Sequence, residues 1–91
     1  NISNLFIEVQ IAASNRKIPL NSRNFSKLDG IKEFIENGMY KYSVGHFEKI
    51  SLAEKTRKEL RTKGFKGAFL IAFYKGKKIS MKEARAIIYG K

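Results

Sequence analysis

Cysteine and tryptophan are absent from this sequence of 91 residues, and proline and histidine occur once each. Without cysteine the chain has no disulfide, no thiolate nucleophile and no cysteine zinc site. A lone histidine is also insufficient for a metal centre or a catalytic triad, because both need several converging partners. The lack of cysteine leaves the compartment open, since a cysteine-free domain suits the cytosol and the periplasm equally.

Acidic residues are scarce: the chain has 8 aspartate and glutamate residues against 19 lysine and arginine residues, a net charge of +11. The only aspartate, Asp29, and the scattered glutamates form no evident converging pair. We therefore predict no catalytic residue, no metal site and no cofactor. The positive charge favours an acidic partner, such as nucleic acid, an anionic membrane surface or an acidic cell-wall polymer. The alternative is that the lysines only keep a small domain soluble.

Long apolar runs are missing too, so we expect neither a membrane span nor a signal peptide in this stretch. Hydrophobic residues make up 43% of the chain, which predicts one small folded domain over residues 1–91. We expect a monomer with a core at about 5–74 and a C-terminal extension at 75–91. Because the chain begins at Asn1, we interpret it as a piece of a longer protein whose targeting signal lies upstream.

Alternating apolar residues indicate the first strands. Residues 5–13, LFIEVQIAA, have the period of a half-buried strand whose core side would carry Leu5, Ile7, Val9, Ile11 and Ala13. Asn37-Gly38 is a strong signal for a two-residue hairpin. The hairpin places Ile31, Ile35, Tyr40, Tyr42 and Val44 on the core side. Glu33 falls on the same side, a misfit that an edge strand would tolerate.

Two later segments have the apolar spacing and the capping residues of helices. Residues 51–63, SLAEKTRKELRTK, begin with Ser51 and Glu54 at the spacing of a capping box. Ser80 and Glu83 have the same spacing and predict a short terminal helix. The basic side of the first helix is interpreted as a solvated surface that could attract a polyanion non-specifically.

The order of the elements predicts the fold class. A helical turn is expected near Asn24–Leu28 and the last long strand at Ala68–Tyr74, after which Lys75-Gly76-Lys77 turns and Lys78-Ile79 pairs back. The resulting pattern is an α+β fold: a βαββαβ antiparallel sheet, ribonucleoprotein- or ferredoxin-like, with helices on one face and a short C-terminal helix. The first strand is expected in the centre of the sheet, beside the third and the last.

We call the sheet face opposite the helices the helix-free face. Strand alternation assigns to it Phe6, Glu8, Gln10, Ala12, Lys32, Phe34, Met39, Lys41, Ser43, Phe69, Ile71 and Phe73. Such a face is more apolar than solvation requires, which is typical of a binding site. Two alternatives remain: the terminal helix could fold across this face, or the alternation could be one residue out, which would exchange the two faces. His46 is predicted to lie in the loop after Gly45, where a histidine is usually only solvated.

Three segments recur in the order and spacing of a known family: VQIAAS (9–14), YKYSVGHF (40–47) and SLAEKTRKELRTKGFKGAFLIAF (51–73). They resemble, in turn, the first strand, the third strand, and the helix with the last strand of SPOR domains. The segment GAFLIAF, followed by a KGKKIS-like tail, looks most like SPOR domains of Bacteroidetes-type envelope proteins. The resemblance covers nearly the whole chain.

This resemblance implies a non-catalytic module that binds septal peptidoglycan and prefers glycan strands stripped of their stem peptides. Such domains act in the periplasm or cell envelope and localise a parent protein to the division septum. The parent protein could be a cell-wall amidase, a lytic transglycosylase or another cell-division protein. In the family, the glycan groove lies on the sheet face away from the helices.

The resemblance also implies site residues. Gln10 matches the glutamine of the family's first strand, Lys41 its basic third-strand position, and Met39 the bulky position two residues earlier. Ser14 corresponds to a first-strand serine displaced by one residue, and His46 stands where proline is common. With the aromatic residues of the helix-free face, the predicted glycan-binding set is Gln10, Ser14, Phe34, Met39, Lys41, Phe69 and Phe73.

The alternative is an RNA-binding module of the same topology, since aromatic side chains beside lysines on a sheet can stack bases. The RNA family's signature reads roughly Lys-Gly-Phe-Gly/Ala-Phe-Val-x-Phe and lies on the third strand along the chain. Here the nearest string, KGAFLIAF (66–73), lies on the last strand, and the predicted third strand lacks the signature. We therefore favour glycan strands as the partner and expect no specific nucleic acid.

Overall fold

The computed structural model describes residues 4–25 and 28–90. Its elements are β1 (Leu5–Ser14), a 3-10 turn (Arg23–Phe25), β2 (Lys32–Glu36), β3 (Met39–Phe47), α1 (Ile50–Thr62), β4 (Phe69–Tyr74), β5 (Lys77–Ile79) and α2 (Met81–Tyr89). The five strands form one antiparallel sheet in the order β2-β3-β1-β4-β5. The chain is thus a small α+β domain, compatible with a ferredoxin-like class.

The core lies between one face of the sheet and both helices. Leu5 and Ile7 of β1 and Ala72 of β4 are buried in the same apolar cluster as Ala53 of α1 and Ala84 of α2. Small alanine side chains at these contacts let both helix backbones approach the sheet closely. Because α2 packs on the same side as α1, it leaves the other face without a helix. The alternative in which α2 crosses that face is therefore wrong.

Both predicted hairpin turns are present. Asn37 and Gly38 have φ of 54° and 76°, and Lys75 and Gly76 have φ of 52° and 82°. Consecutive left-handed residues twist a two-residue turn in the same sense as the flanking strands. The first turn fixes the pairing of β2 with β3 in the predicted register, which extends from the pair of Glu36 with Met39.

The two helices differ in how their first turns are capped. At α2 the capping box is confirmed: Ser80 Oγ accepts from Glu83 N, and Ser80 N donates to Glu83 Oε1, both at 3.0 Å. The predicted box at α1 is wrong, because α1 begins at Ile50 and its cap residue Lys49 makes no side-chain bond. Glu54 instead pairs with Arg57. The earlier start places Ile50 against the apolar cluster of the core.

In the described part of the segment between β1 and β2, residues 15–25 and 28–31, the one helical element is a 3-10 turn. The 3-10 turn at Arg23–Phe25 overlaps the predicted helical turn, of which residues 26–27 lie outside the described residues. Phe25 is buried, and its ring lies 5.2 Å from that of Tyr42 on β3. This contact helps to anchor the long connection to the sheet.

Two β-bulges interrupt the pairing of β1 with β3. The first leaves an extra residue in β3, since Val9 pairs with Val44 but Ile7 pairs with Phe47. The second leaves an extra residue in β1, since Gln10 pairs with Ser43 but Ala12 pairs with Tyr42. The second bulge reverses the alternation of β1 beyond Gln10, so the prediction that Ala12 lies on the helix-free face is wrong. Bulges also increase the twist of a sheet.

Candidate functional site

The helix-free face is strongly concave. Phe34 of β2 and Phe73 of β4 have ring centroids 5.6 Å apart, although these strands are three positions apart in the sheet. In a flat sheet that separation would be about 14 Å. Lys78 of the edge strand β5 likewise reaches Glu36 of the opposite edge strand, with Nζ 2.7 Å from Oε1. The coiled sheet therefore brings side chains from its two edges together over this face.

An aromatic cluster, which we define as Phe6, Phe34, His46 and Phe73, covers part of this concave surface. The ring of Phe6 stacks on Phe73 at 5.5 Å and on His46 at 4.1 Å. His46 is thus a residue of β3 packed on a phenylalanine, and its predicted place in a loop is wrong. The rings of this cluster therefore pack on one another through their faces and edges.

The same face carries a polar row made of Glu8, Gln10 and Ser43, which are only 4%, 5% and 0% exposed. Glu8 accepts hydrogen bonds from the Ser43 hydroxyl and from Lys32 Nζ, the latter at 2.9 Å. Lys32 Nζ also donates to the carbonyl of Gly45 at 2.9 Å. The buried carboxylate is therefore paired with a cation and hydrogen-bonded, as a buried charge must be.

Gln10 is the member of the polar row that lacks a full set of partners. It lies between Ser43 of β3 and Phe69 of β4, its register partners on the two sides. Its amide oxygen Oε1 is buried and accepts no hydrogen bond from any described residue. A buried acceptor without a donor costs about 1–3 kcal/mol, so a ligand that donated to it would recover that free energy.

A third group, which we call the Glu36 bridge, consists of Glu36, Lys41 and Lys78. One carboxylate oxygen, Oε1 of Glu36, accepts from the ammonium groups of both lysines. Lys78 Nζ also lies 5.8 Å from the centre of the Phe34 ring. The pKa of Glu36 lies below its ordinary value, chiefly because of the hydrogen bond from Lys41 and then that from Lys78, and partial burial opposes the shift. Glu36 is therefore ionised at neutral pH.

The structure brings all but one of the predicted site residues to the helix-free face. Phe34 and Phe73 belong to the aromatic cluster, Gln10 to the polar row and Lys41 to the Glu36 bridge. Met39, the register partner of Glu36, is half-buried on the same face. Phe69, the register partner of Gln10, is 46% exposed.

Ser14 is the exception. It lies beyond the second bulge, where it pairs with Tyr40 and so belongs to the helix side of the sheet. Its Oγ accepts the backbone N–H of Arg16 at 3.0 Å. The second bulge thus turns this serine away from Gln10 and Lys41.

Several residues of this face were not predicted as functional. The ion pair of Glu8 with Lys32 could have been inferred from the sequence, because the two residues have opposite charges and are both assigned to this face. No such signal exists for Glu36 and Lys78. They lie on opposite edges of the sheet, and only its coiling brings them together.

A separate cleft of about 280 Å³ lies on the helix side, between α1, β3 and the segment before β2. It is lined by Leu28, Asp29, Val44, Gly45, Thr56, Glu59, Leu60 and Lys63. None of the predicted site residues contributes to this lining.

Comparisons with known proteins identified no relative: no family model, curated protein or solved structure matches the chain. Across residues 4–25 and 28–90, no helix is long and apolar enough to cross a membrane. The same residues contain no group of three or more histidine, cysteine, aspartate or glutamate side chains placed to hold a metal ion.

Proposed function

We propose that this domain is a non-catalytic module that binds peptide-stripped glycan strands of peptidoglycan through its helix-free face. On this proposal the fold is a variant of the βαββαβ sheet of ribonucleoprotein or ferredoxin-like type, with a 3-10 turn at the place of the first helix. The domain localises a parent protein to the division septum within the cell envelope. The observation that carries the proposal is Gln10, whose buried Oε1 accepts no hydrogen bond from a described residue and whose register partner on β4 is the exposed Phe69.

The chemistry of these side chains suits an amino-sugar polymer. The C–H faces of sugar rings pack on aromatic rings and on thioethers, which Phe69 and Met39 provide. Gln10 Oε1 needs a donor, and an N-acetyl N–H or a sugar hydroxyl can supply one when the buried amide turns outward to the ligand. Removal of stem peptides exposes lactyl carboxylates on the glycan, and Lys41 supplies a cation on the same face.

The packing of the aromatic rings on this face favours a glycan over RNA as the ligand. Base stacking by a sheet requires several rings with free faces. On this face Phe6, Phe34 and Phe73 pack on one another, whereas Phe69 is 46% exposed. One exposed ring beside an amide is sufficient for a sugar but poor as a stacking platform for successive bases.

Retention on insoluble peptidoglycan tests the proposal. We expect the domain to sediment with sacculi whose stem peptides an amidase has removed, and much less with untreated sacculi. A dissociation constant on the order of micromolar is expected, because a small, shallow site buries little area.

A parallel titration of fluorescent single-stranded RNA tests the alternative. Absence of retention on stripped sacculi at low salt, together with saturable sub-micromolar RNA binding at moderate salt, would overturn the glycan proposal in favour of RNA. Weak RNA binding that disappears as salt is raised reflects only the net charge of +11 and leaves the glycan proposal standing.

A further inference from the structure

In the Glu36 bridge, two ammonium groups share a single carboxylate oxygen. Lys41 comes from β3 and Lys78 from β5, so the two cations arrive from different parts of the coiled sheet. Their side chains are 16% and 27% exposed, and that of Glu36 is 29% exposed. The group is thus within reach of solvent and of a ligand on the helix-free face.

The charges of this group do not balance, since two lysines face one glutamate. Each ammonium carries three donors, so two lysines can hold a carboxylate from two sides. Lys78 is additionally placed over the Phe34 ring, at 5.8 Å from its centre. A pair of cations beside an aromatic platform is an arrangement suited to an acidic ligand with an apolar body.

We propose that Lys41 and Lys78 form a binding site for a ligand carboxylate, and that Glu36 occupies this site as an internal competitor until the ligand displaces it. The inference deepens the proposed function, because the carboxylate would be the lactyl group of a peptide-stripped glycan. Lys78 and Glu36 then act in ligand selection, a role that the resemblance to SPOR domains implies for neither residue.

The consequence for binding is an exchange of one carboxylate for another. The incoming carboxylate gains the attraction of two cations, while the departing Glu36 loses the same attraction and regains its hydration. The two contributions largely cancel in the unaltered chain, so a small free carboxylate binds weakly. Removing the charge of Glu36 removes the competitor, and a carboxylate then gains the two cations without an opposing loss.

Titration with D-lactate tests the site independently of any glycan. The probe is followed by NMR through the ε-methylene signal of Lys41 in every variant, and also through that of Lys78 where this lysine is kept. For Glu36→Gln we expect saturable shifts and an affinity at least several-fold higher than that of the unaltered chain. The double variant Glu36→Gln with Lys78→Met should lose this gain, while it keeps the apolar stem at position 78.

A matched control comes from another glutamate–cation pair of the chain. Glu54 accepts from Arg57 on α1, away from the helix-free face. The Glu54→Gln variant should give no gain in lactate binding. Equal shifts in the unaltered chain, Glu36→Gln and the double variant would overturn the proposal, as would an equal gain for Glu54→Gln.

Glycan binding provides the second measurement and separates the two proposals. Glu36→Gln should bind stripped glycan chains more tightly than the unaltered chain does, and this gain should vanish for chains whose lactyl carboxylates have been chemically reduced. Lactate binding by Glu36→Gln without any retention on stripped sacculi would overturn the glycan function and keep the carboxylate site. Retention that is indifferent to Glu36→Gln, to Lys78→Met and to carboxyl reduction would overturn the carboxylate site alone.

Discussion

The hydroxyl of Tyr42 on β3 donates to Oε2 of Glu33 on β2 at 2.9 Å, so a buried phenol holds the one carboxylate that points to the helix side of β2. The same hydroxyl oxygen accepts the backbone N–H of Ile18 at 2.7 Å. Lys17 Nζ lies 2.6 Å from the other oxygen of Glu33. The carboxylate that is a misfit in the sequence pattern therefore ties the edge strand to the long connection after β1.

Replacing Tyr42 by phenylalanine should destabilise the domain by about 1–3 kcal/mol, because it removes the acceptor of the Ile18 N–H and a donor to Glu33. The side chain of Tyr42 is 0% exposed, so water does not easily replace the lost hydroxyl. Urea unfolding followed by circular dichroism measures the change. Tyr40→Phe, two residues away on the same side of β3, should stay within about 0.5 kcal/mol. Equal losses for the two variants would contradict this role of the Tyr42 hydroxyl.

Gly45 should resist substitution, because it lies at a bulge with φ of 88° and close to an aromatic ring. A Cβ at this position would lie 2.2 Å from Cε2 of Phe47, so the ring would have to move. We expect Gly45→Ala to cost about 1–3 kcal/mol in the free energy of unfolding. Gly38→Ala, with a φ of 76° but no neighbour within 4 Å, separates backbone strain from the clash. A loss no larger than that of Gly38→Ala would show that Phe47 relaxes freely.

The ion pair of Glu8 with Lys32 predicts an order of stability between two variants. Lys32→Met leaves the carboxylate of Glu8, whose side chain is 5% exposed, without its cation. Glu8→Gln removes the buried charge, and its amide oxygen can still accept from Ser43. Lys32→Met should therefore be the more destabilising change, by about 1 kcal/mol or more, as measured by chemical unfolding at neutral pH. The reverse order would mean that solvent already screens this pair.

Acid should destabilise the domain through three glutamates whose pKa values lie below the ordinary value of 4.5: Glu33, Glu36 and Glu83. The largest causes are the hydrogen bonds from Lys17, from Lys41 and from the backbone of Ser80, respectively. A carboxyl group with a lowered pKa in the folded state stabilises that state fully above its unfolded pKa, and this contribution is lost as pH falls through the folded pKa. The melting temperature should therefore be steady near neutral pH and fall below pH 4.5.

The combined variant Glu33→Gln, Glu36→Gln and Glu83→Gln should melt at a lower temperature than the unaltered chain at neutral pH. Its melting temperature should also depend less steeply on pH in the acidic range. An acid slope as steep as that of the unaltered chain would place the responsible groups elsewhere.

The local elements of the fold could be predicted from the sequence because their signals are local. Asn37-Gly38 specifies the first hairpin through its backbone conformation, and Ser80 with Glu83 specifies the start of α2. The alternation of β4 also places Phe69 correctly, because that strand is free of bulges in its pairing with β1. The concavity of the helix-free face could not be predicted in this way, since it results from twist accumulated over the five strands.

The wrong placement of Ser14 and the missed contact of Glu36 with Lys78 also result from irregularity and coiling of the sheet, which local sequence signals do not specify. The bulge of β1 beyond Gln10 turns Ser14 to the helix side of the sheet. No residue type in AAS (12–14) predicts this bulge. The contact of Glu36 with Lys78 joins residues that are 42 positions apart and lie on opposite edges. The alternation of residues along a strand predicts on which face of the sheet each side chain lies. It does not predict which side chains meet across a coiled sheet.

Phe69 and Leu52 offer a direct test of the proposed glycan-binding face, because both are large apolar side chains of similar exposure, 46% and 50%. Phe69 lies on the helix-free face beside Gln10, whereas Leu52 lies on α1. Phe69→Ala should weaken retention on stripped sacculi about tenfold, which corresponds to about 1.4 kcal/mol. Leu52→Ala should leave it unchanged, and neither variant should lose much stability, because each side chain is already half in water. Co-sedimentation at several domain concentrations gives both dissociation constants. A loss for Leu52→Ala with none for Phe69→Ala would move the binding surface to the helices, where the basic residues of α1 would become the leading candidates.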